Sequence, residues 1–406
     1  MAFQHSRFDN AHEAAPISWG EAKLIKYLSG KSERLTLPSP AVVSLPVRPN
    51  NHNFFYHHLR QEICVLSPIA LITVFMTLIL PMQTVLGAQP TLREMAQQRG
   101  FYIGAAVAIP LLDDKDYQGT LKHQFNICVA ENDFKMESLR PSRERFDFST
   151  ADKLAAFAQT NHLKLRGHTL VWHLAIPAWL TQGQWTRDDS LRIMEEHITT
   201  VMQHFKGKAY AWDVVNEAVS DQAPWGVRAD GFWAKTIGPD YVEKAFEFAR
   251  RADPQALLYY NDYGAEGAGP KADAVFQLLK DLKAKNLVDG VGWQSHLESG
   301  WKADKSHVVN AERLAKLGIE ISITELDFRF TLPSTPEKLA LQAGSYRSML
   351  RFCLTQPNVK AMVLWGFTDK SSWIPHFYKG QGDALIFDRD YRPKPAYDAL
   401  TDELLH

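Results

Sequence analysis

The chain has 406 residues, enough for one large domain with an extension. Its 45 basic and 46 acidic side chains leave a net charge of −1, which argues against electrostatically driven binding to nucleic acid, since that needs a basic face. Three cysteines, Cys64, Cys128 and Cys353, are too few for a disulfide scaffold and too widely spaced for a zinc site, so no metal is expected.

Residues 1–62 mix histidines, prolines and both charges with no sustained apolar period, and read as a disordered tail or as the product of a start placed too early. From residue 63 to 92 there is no charged side chain, and 64–80 (CVLSPIALITVFMTLIL) is almost wholly apolar. Pro68 interrupts that run, and Pro81 and small residues around Ala88 follow it. This pattern fits the core and cleavage zone of a signal peptide better than a full membrane span of about 20 residues. Segment 63–90 is therefore expected to direct export to the outside of the cell or the periplasm. Two alternatives are an uncleaved anchor over 64–86 and a buried helix of the soluble domain.

From Thr91 the chain alternates. Runs rich in β-branched and aromatic residues at 102–107, 125–130, 163–172, 210–215, 257–261, 290–294, 320–324 and 359–364 predict eight strands. Between them, 149–160, 190–205, 241–252, 272–285, 303–317 and 335–354 carry helical periods, with Ser149, Asp189 and Thr335 as expected caps and Pro336 at a first helical position. Eight βα units over 91–406 favour a single (β/α)8 TIM barrel behind an N-terminal targeting extension. A dinucleotide-binding sheet is disfavoured, because the glycines of 264–269 lie too far along the chain and at the wrong spacing.

Chemistry in such a barrel sits at the C-terminal ends of the strands. In order, those ends carry Glu131, Asn132 and Lys135; His168, Trp172 and His173; Asn216 and Glu217; Asn261, Asp262 and Tyr263; Gln294 and His296; Glu325 and Asp327; and Trp365, with Trp373 beyond. Glu217 and Glu325 form a candidate carboxylate pair for glycosidic hydrolysis, one protonating the leaving oxygen and the other meeting the cationic carbon. His296 is placed to orient Glu325 and keep it ionised, and the charge on Glu325 is expected to raise the pKa of Glu217. Asn216 can hold a sugar hydroxyl, and Trp172, Trp365 and Trp373 offer flat apolar faces to pyranose rings. Asp262 and Asp327 read either as tuning groups or as loop pins. Trp212, Asp213, Trp179, Trp185, Trp225 and Trp233 read as architecture.

The strings ENDFK (131–135), GHTLVWH (167–173), WDVVNEA (212–218), YYNDYG (259–264), GVGWQSH (290–296), ITELDF (323–328) and LWGFTDKSSW (364–373) resemble the successive signatures of glycoside hydrolase family 10, the endo-β-1,4-xylanases. The resemblance runs in order from Thr91 to about Leu400. It implies a retaining enzyme without a cofactor, with Glu217 as acid/base and Glu325 as nucleophile. It further implies that Asn216 holds the 2-hydroxyl of the sugar in the −1 subsite, and that Gln294 and His296 position the nucleophile. Lys135, His168, Trp172 and Trp365 would line that subsite, Glu131 and Asn132 would bind the −2 xylose under Trp373, and Tyr263 would face the leaving group. The implied partners are xylan and xylo-oligosaccharides, acted on by a monomer with no obligate protein partner.

Cellulases and mannanases share this barrel and carboxylate pair, but a −2 sugar closed over by Trp373 favours xylose, which lacks a C6 hydroxymethyl. A catalytically dead sugar-binding barrel is disfavoured by the presence of both glutamates, and a membrane-tethered scaffold rests on 63–88 alone. The chain departs from the family in the loop after the third strand, where relatives commonly show a Gln (WHSQLP-like) and this chain reads Trp172-His173-Leu174-Ala175-Ile176-Pro177, and at Gly264, where Asn is usual. Val359 stands where some relatives carry a cysteine, so Cys353 is expected as a buried free thiol. No carbohydrate-binding module is expected after the barrel, leaving polymer binding to the cleft.

Overall fold

The computed structural model describes residues 90–406, so the expected tail and the apolar export segment lie outside the described residues. Among the described residues no helix is long and apolar enough to cross a membrane.

Eight parallel strands close on themselves: β1 (Tyr102–Val107), β2 (Ile127–Ala130), β3 (Lys164–Trp172), β4 (Ala209–Asn216), β5 (Leu257–Asp262), β6 (Gly290–Trp293), β7 (Glu320–Thr331) and β8 (Val359–Leu364). Each pairs with the next, and β8 also pairs with β1, as in Tyr102↔Ala361, which completes the barrel. Helices cover the outside, so strands such as β2 (ICVA) are buried on both faces and read as continuous apolar runs. The helix Tyr241–Ala252 shows the complementary pattern. It buries Val242, Ala245, Phe246 and Ala249, the i, i+3, i+4, i+7 stripe of an amphipathic helix against a sheet.

The expected bounds of β1, β8 and the helices Ser149–Thr160 and Tyr241–Ala252 agree with the structure. Two expected caps do not. Asp189 is the third residue of the helix Arg187–His204 and completes a capping box with Thr186, which caps the helix three residues earlier. Ser149 is a first helical residue whose N–H and hydroxyl both donate to Asp147. Thr335 caps as expected, accepting from Lys338.

The largest departure is β7. It continues from the expected Thr324 to Thr331, because Glu325, Asp327 and Arg329 alternate with Leu326, Phe328 and Phe330 and all six are buried. The three-residue strand His296–Glu298 pairs beside this overhang, setting His296 opposite Asp327.

Two glycines admit the packing that positions the site. A Cβ on Gly167 would lie 2.1 Å from the Trp212 ring, which fills the wall between β3 and β4. A Cβ on Gly292 would lie 2.0 Å from Asn261 Oδ1, so glycine in β6 is what lets the Asn261 side chain lie across the barrel mouth. Cys353 is a buried free thiol, as is Cys128.

Candidate active site

Asn216 ends β4, and Glu217 turns out of the strand with φ 56°, a left-handed conformation that a side-chain-bearing residue rarely adopts. Its backbone N–H donates to Asn261 O at 2.8 Å, which ties the turn to the next strand. The Glu217 carboxyl accepts from Gln294 Nε2 at 2.8 Å and Asn216 Nδ2 at 3.1 Å on one oxygen, and from Trp172 Nε1 at 3.0 Å on the other. Those donors favour the ionised form, but burial outweighs them and raises the pKa, with the charges of Asp262 and then Glu325 adding to it. The mutual charge effect expected from Glu325 is therefore the lesser contribution, and desolvation leads.

Glu325 is 5% exposed, inside β7. Asn261 Nδ2 donates to its Oε1 at 2.7 Å and to Asn216 Oδ1 at 2.8 Å, so a single amide bridges the β4 and β7 ends. Thr324 Oγ1 holds the Asn261 oxygen at 2.7 Å and fixes the orientation of that amide. On the other side, His296 Nε2 lies 3.1 Å from Glu325 Oε2, while His296 Nδ1 lies 2.9 Å from Asp327 Oδ2. Trp373 Nε1 donates to that same Asp327 oxygen at 2.9 Å. Burial alone would lower the His296 pKa, but Asp327 and Glu325 overcome it and hold the imidazole protonated, with a pKa of about 10. Burial likewise works to raise Glu325, and the His296 hydrogen bond with the charges of His168 and His296 reverses it, leaving Glu325 lowered. Two carboxyls on adjoining hydrogen bonds are thus driven in opposite directions.

Asp327→Asn removes the anion behind His296 and is expected to lower its pKa, so that the ring loses its charge closer to neutral pH. Glu325 then loses a stabilising cation and its own pKa rises. The acid limb of kcat/KM should move to higher pH, and an imidazole NMR titration should show the fall at His296. An unmoved acid limb contradicts this coupling.

The remaining expected residues border the pair. Lys135 Nζ donates to Asn132 Oδ1 at 2.7 Å and lies 5.2 Å from the centre of the Trp172 ring. Burial lowers the Lys135 pKa, against the charges of Glu325 and Glu217. Glu131, beneath them, is pushed by burial up to about 7. His168 is buried, with Nδ1 3.0 Å from Asp213 Oδ2, and Asp213 is clamped by Arg166 at 2.5 and 3.1 Å. Trp365 sits edge-on to both His168 and His296, at 5.4 and 6.3 Å between ring centres. Tyr263 stands outside this bonded group, donating from its hydroxyl to Asp221 Oδ2 at 2.8 Å.

Gln294 departs from expectation. Its side chain turns toward β4 and donates to Glu217 and Asn216, and only its backbone oxygen meets Glu325, receiving that residue's N–H at 3.0 Å. The indoles read as architecture behave so at Trp179, Trp185 and Trp233, whose N–H groups donate to backbone oxygens. Trp225 is 39% exposed and anchors no core. His173 meets Arg228 Nη1 at 3.0 Å and is held neutral, its pKa near 4, by burial and that cation.

The full length of the barrel, residues 91–403, matches the model of glycosyl hydrolase family 10. The chain belongs to this family. Among curated relatives, endo-1,4-beta-xylanase B of Thermotoga neapolitana is 43% identical over 314 residues, 76% of this chain and 90% of the relative. Endo-1,4-beta-xylanase C of Phanerodontia chrysosporium is 38% identical over 76% of this chain and 78% of its own length. Among solved structures, xylanase 10B of Thermotoga maritima superposes with a TM-score of 0.75 at 44% identity, covering 78% of this chain and 98% of that one. Xylanase 10B of Thermotoga petrophila RKU-1, solved in complex with xylobiose, gives the same TM-score and identity over 78% and 97%.

In this family 10 barrel, two residues carry more of the site than the sequence suggested. Asn261 was legible only as one polar residue in a strand-end group, yet it is the bridge between the Asn216 and Glu325 ends. Asp327, open between tuning group and loop pin, stands behind His296. Its signal was present: Glu325 and Asp327 are two apart in a strand and so share a face.

Proposed function

We propose that this family 10 chain is an endo-1,4-β-xylanase in which Glu217 is the acid/base and Glu325 the nucleophile of a retaining double displacement. The observation that carries the assignment is the opposite setting of the two carboxyls. Burial and nearby anions favour a proton on Glu217, whereas His296 and Asn261 favour the anion of Glu325. Glu325 forms a bond to the anomeric carbon as that carbon's bond to the leaving oxygen breaks, and the Glu217 proton passes to that oxygen. Glu217, now a carboxylate, takes a proton from water; the water oxygen bonds to the anomeric carbon and releases Glu325. Protonated His296, held by Asp327, fixes the attacking carboxylate and disperses its charge.

Asn216 donates one amide proton to Glu217 and has a second for the sugar 2-hydroxyl. Lys135, His168, Trp172 and Trp365 line the −1 subsite in this reading. Glu131 and Asn132 bind the −2 xylose, with Trp373 over it and Tyr263 on the leaving-group side. The names of the xylanase relatives and the xylobiose complex of one of them support xylan and xylo-oligosaccharides as substrates. The uncharged run over 63–92 supports export, with residues 63–88 as the signal.

Incubation with xylan should release a ladder of oligosaccharides with little free xylose at first, and activity on carboxymethyl cellulose should be far lower. Greater activity on the cellulose derivative, or xylose as the first product, contradicts the substrate and endo assignments.

A further inference from the structure

Lys271 occupies a place that local physics disfavours. It is the second residue of the helix Pro270–Ala284, where the helix dipole repels a cation, and it is only 7% exposed. Two carboxylates hold it there, Asp221 Oδ1 at 2.7 Å and Asp262 Oδ1 at 2.8 Å, and its ammonium lies 3.7 Å from the centre of the Tyr263 ring. Asp262 is completely buried, receives the Tyr260 hydroxyl, and accepts the Tyr263 backbone N–H at 2.9 Å. Asp221 accepts the Tyr263 hydroxyl at 2.8 Å and Arg228 Nη2 at 3.1 Å. Both polar ends of Tyr263 are therefore fixed, the backbone by one carboxylate and the phenol by the other. Lys271 bridges these two carboxylates while covering the ring between them.

A buried ion pair often adds no net stability over apolar groups of similar volume. What this cluster secures is the orientation of one aromatic ring. The Glu217 N–H donates to Asn261 O, two residues before Tyr263, so the ring belongs to the strand end beside Glu217, and the group that delivers a proton to the leaving oxygen faces the leaving sugar.

We propose that Lys271 is a positioning residue for the leaving-group sugar, locking Tyr263 through Asp262 and Asp221 at the face where Glu217 delivers its proton. This rests on the reading of Glu217 as the acid. A xylose leaving group needs both the proton and a docked ring, whereas an aryl leaving group of low pKa departs with little of either.

The test compares kcat/KM for xylotetraose and for a dinitrophenyl β-xylobioside in Lys271→Met, Asp221→Ala, Tyr263→Phe and the Lys271→Met/Tyr263→Phe double variant, each assayed well below its own Tm. Lys271→Met should lose about tenfold or more on xylotetraose and less than about threefold on the aryl substrate, since misplacing one contact costs on this scale. Asp221, which is partly exposed and tolerates truncation better than a buried lysine, should give the same selective loss as alanine. In the Tyr263→Phe background, Lys271→Met should add less than about twofold, because the two act as one unit. Equal losses on both substrates, additive losses in the double variant, or no selectivity in Asp221→Ala overturns the proposal. Glu217→Ala in the same assay separates the two readings. If it loses both substrates equally, the acid assignment fails. If it is selective and the Lys271 and Asp221 variants are not, only the positioning role fails.

Discussion

Glu217→Ala is expected to cut hydrolysis of xylan about 10²–10⁴-fold while leaving the first step on an aryl β-xylobioside with a good leaving group nearly intact. The asymmetry follows from what the carboxyl supplies. Xylan departs as a poor alkoxide leaving group that must be protonated, and a dinitrophenolate needs no proton. The second step still lacks its base, so the xylosyl enzyme should accumulate and turnover on the aryl substrate should stall after a burst. Azide attacks without base assistance and should restore turnover, yielding the β-xylosyl azide. The alkaline limb of kcat/KM should disappear on the aryl substrate, because that limb reports loss of the proton that burial and Asp262 hold on Glu217. Equal losses on both substrates with no azide effect contradict the acid/base role.

Glu325→Ala should be more severe and unselective, with losses on the order of 10⁵-fold on polymer and aryl substrate alike, the scale expected when a covalent nucleophile is removed. No leaving group is good enough to bypass the missing bond to carbon. Any azide rescue would come from the vacated side of the ring and give the α-xylosyl azide, the opposite anomer from Glu217→Ala. Steady-state rates with product NMR on the two variants check this. A Glu325→Ala enzyme within about tenfold of wild type contradicts the assignment.

Most of the barrel was legible because its two periods are unmixed. Strands buried on both faces read as short apolar runs, and helices such as Tyr241–Ala252 carry one clear stripe. Legibility failed where polar residues are buried. The apolar run of β7 was expected to stop at Thr324 with Glu325 at the strand end, whereas the strand continues through Glu325, whose carboxylate is compensated by Asn261 and His296. The helix start at Thr186 was missed because Asp189 resembles a cap when viewed without the residue it answers. In the site, types and strand ends were readable, but partners were not. Nothing in one sequence says that Gln294 turns to Glu217 rather than Glu325, or that Asn261 spans two strand ends through the gap at Gly292. Those facts depend on register and rotamer, which the linear pattern does not encode. The Lys271 cluster was illegible for the same reason, since Asp221 follows β4 whereas Asp262 ends β5, Tyr263 follows it and Lys271 lies in the helix beyond.

Whether Glu325 becomes covalently attached to the sugar is tested most directly by trapping the intermediate with a 2-deoxy-2-fluoro-β-xylobioside bearing a dinitrophenyl leaving group. The fluorine slows both steps, and the activated leaving group keeps the first one fast enough for the xylosyl enzyme to accumulate. Mass spectrometry of the intact protein should show one added fluoroxylobiosyl unit, and peptide mapping should place it on Glu325. Labelling of Glu217 or of any other residue, or steady turnover with inversion and no adduct, would contradict the double displacement proposed for this barrel.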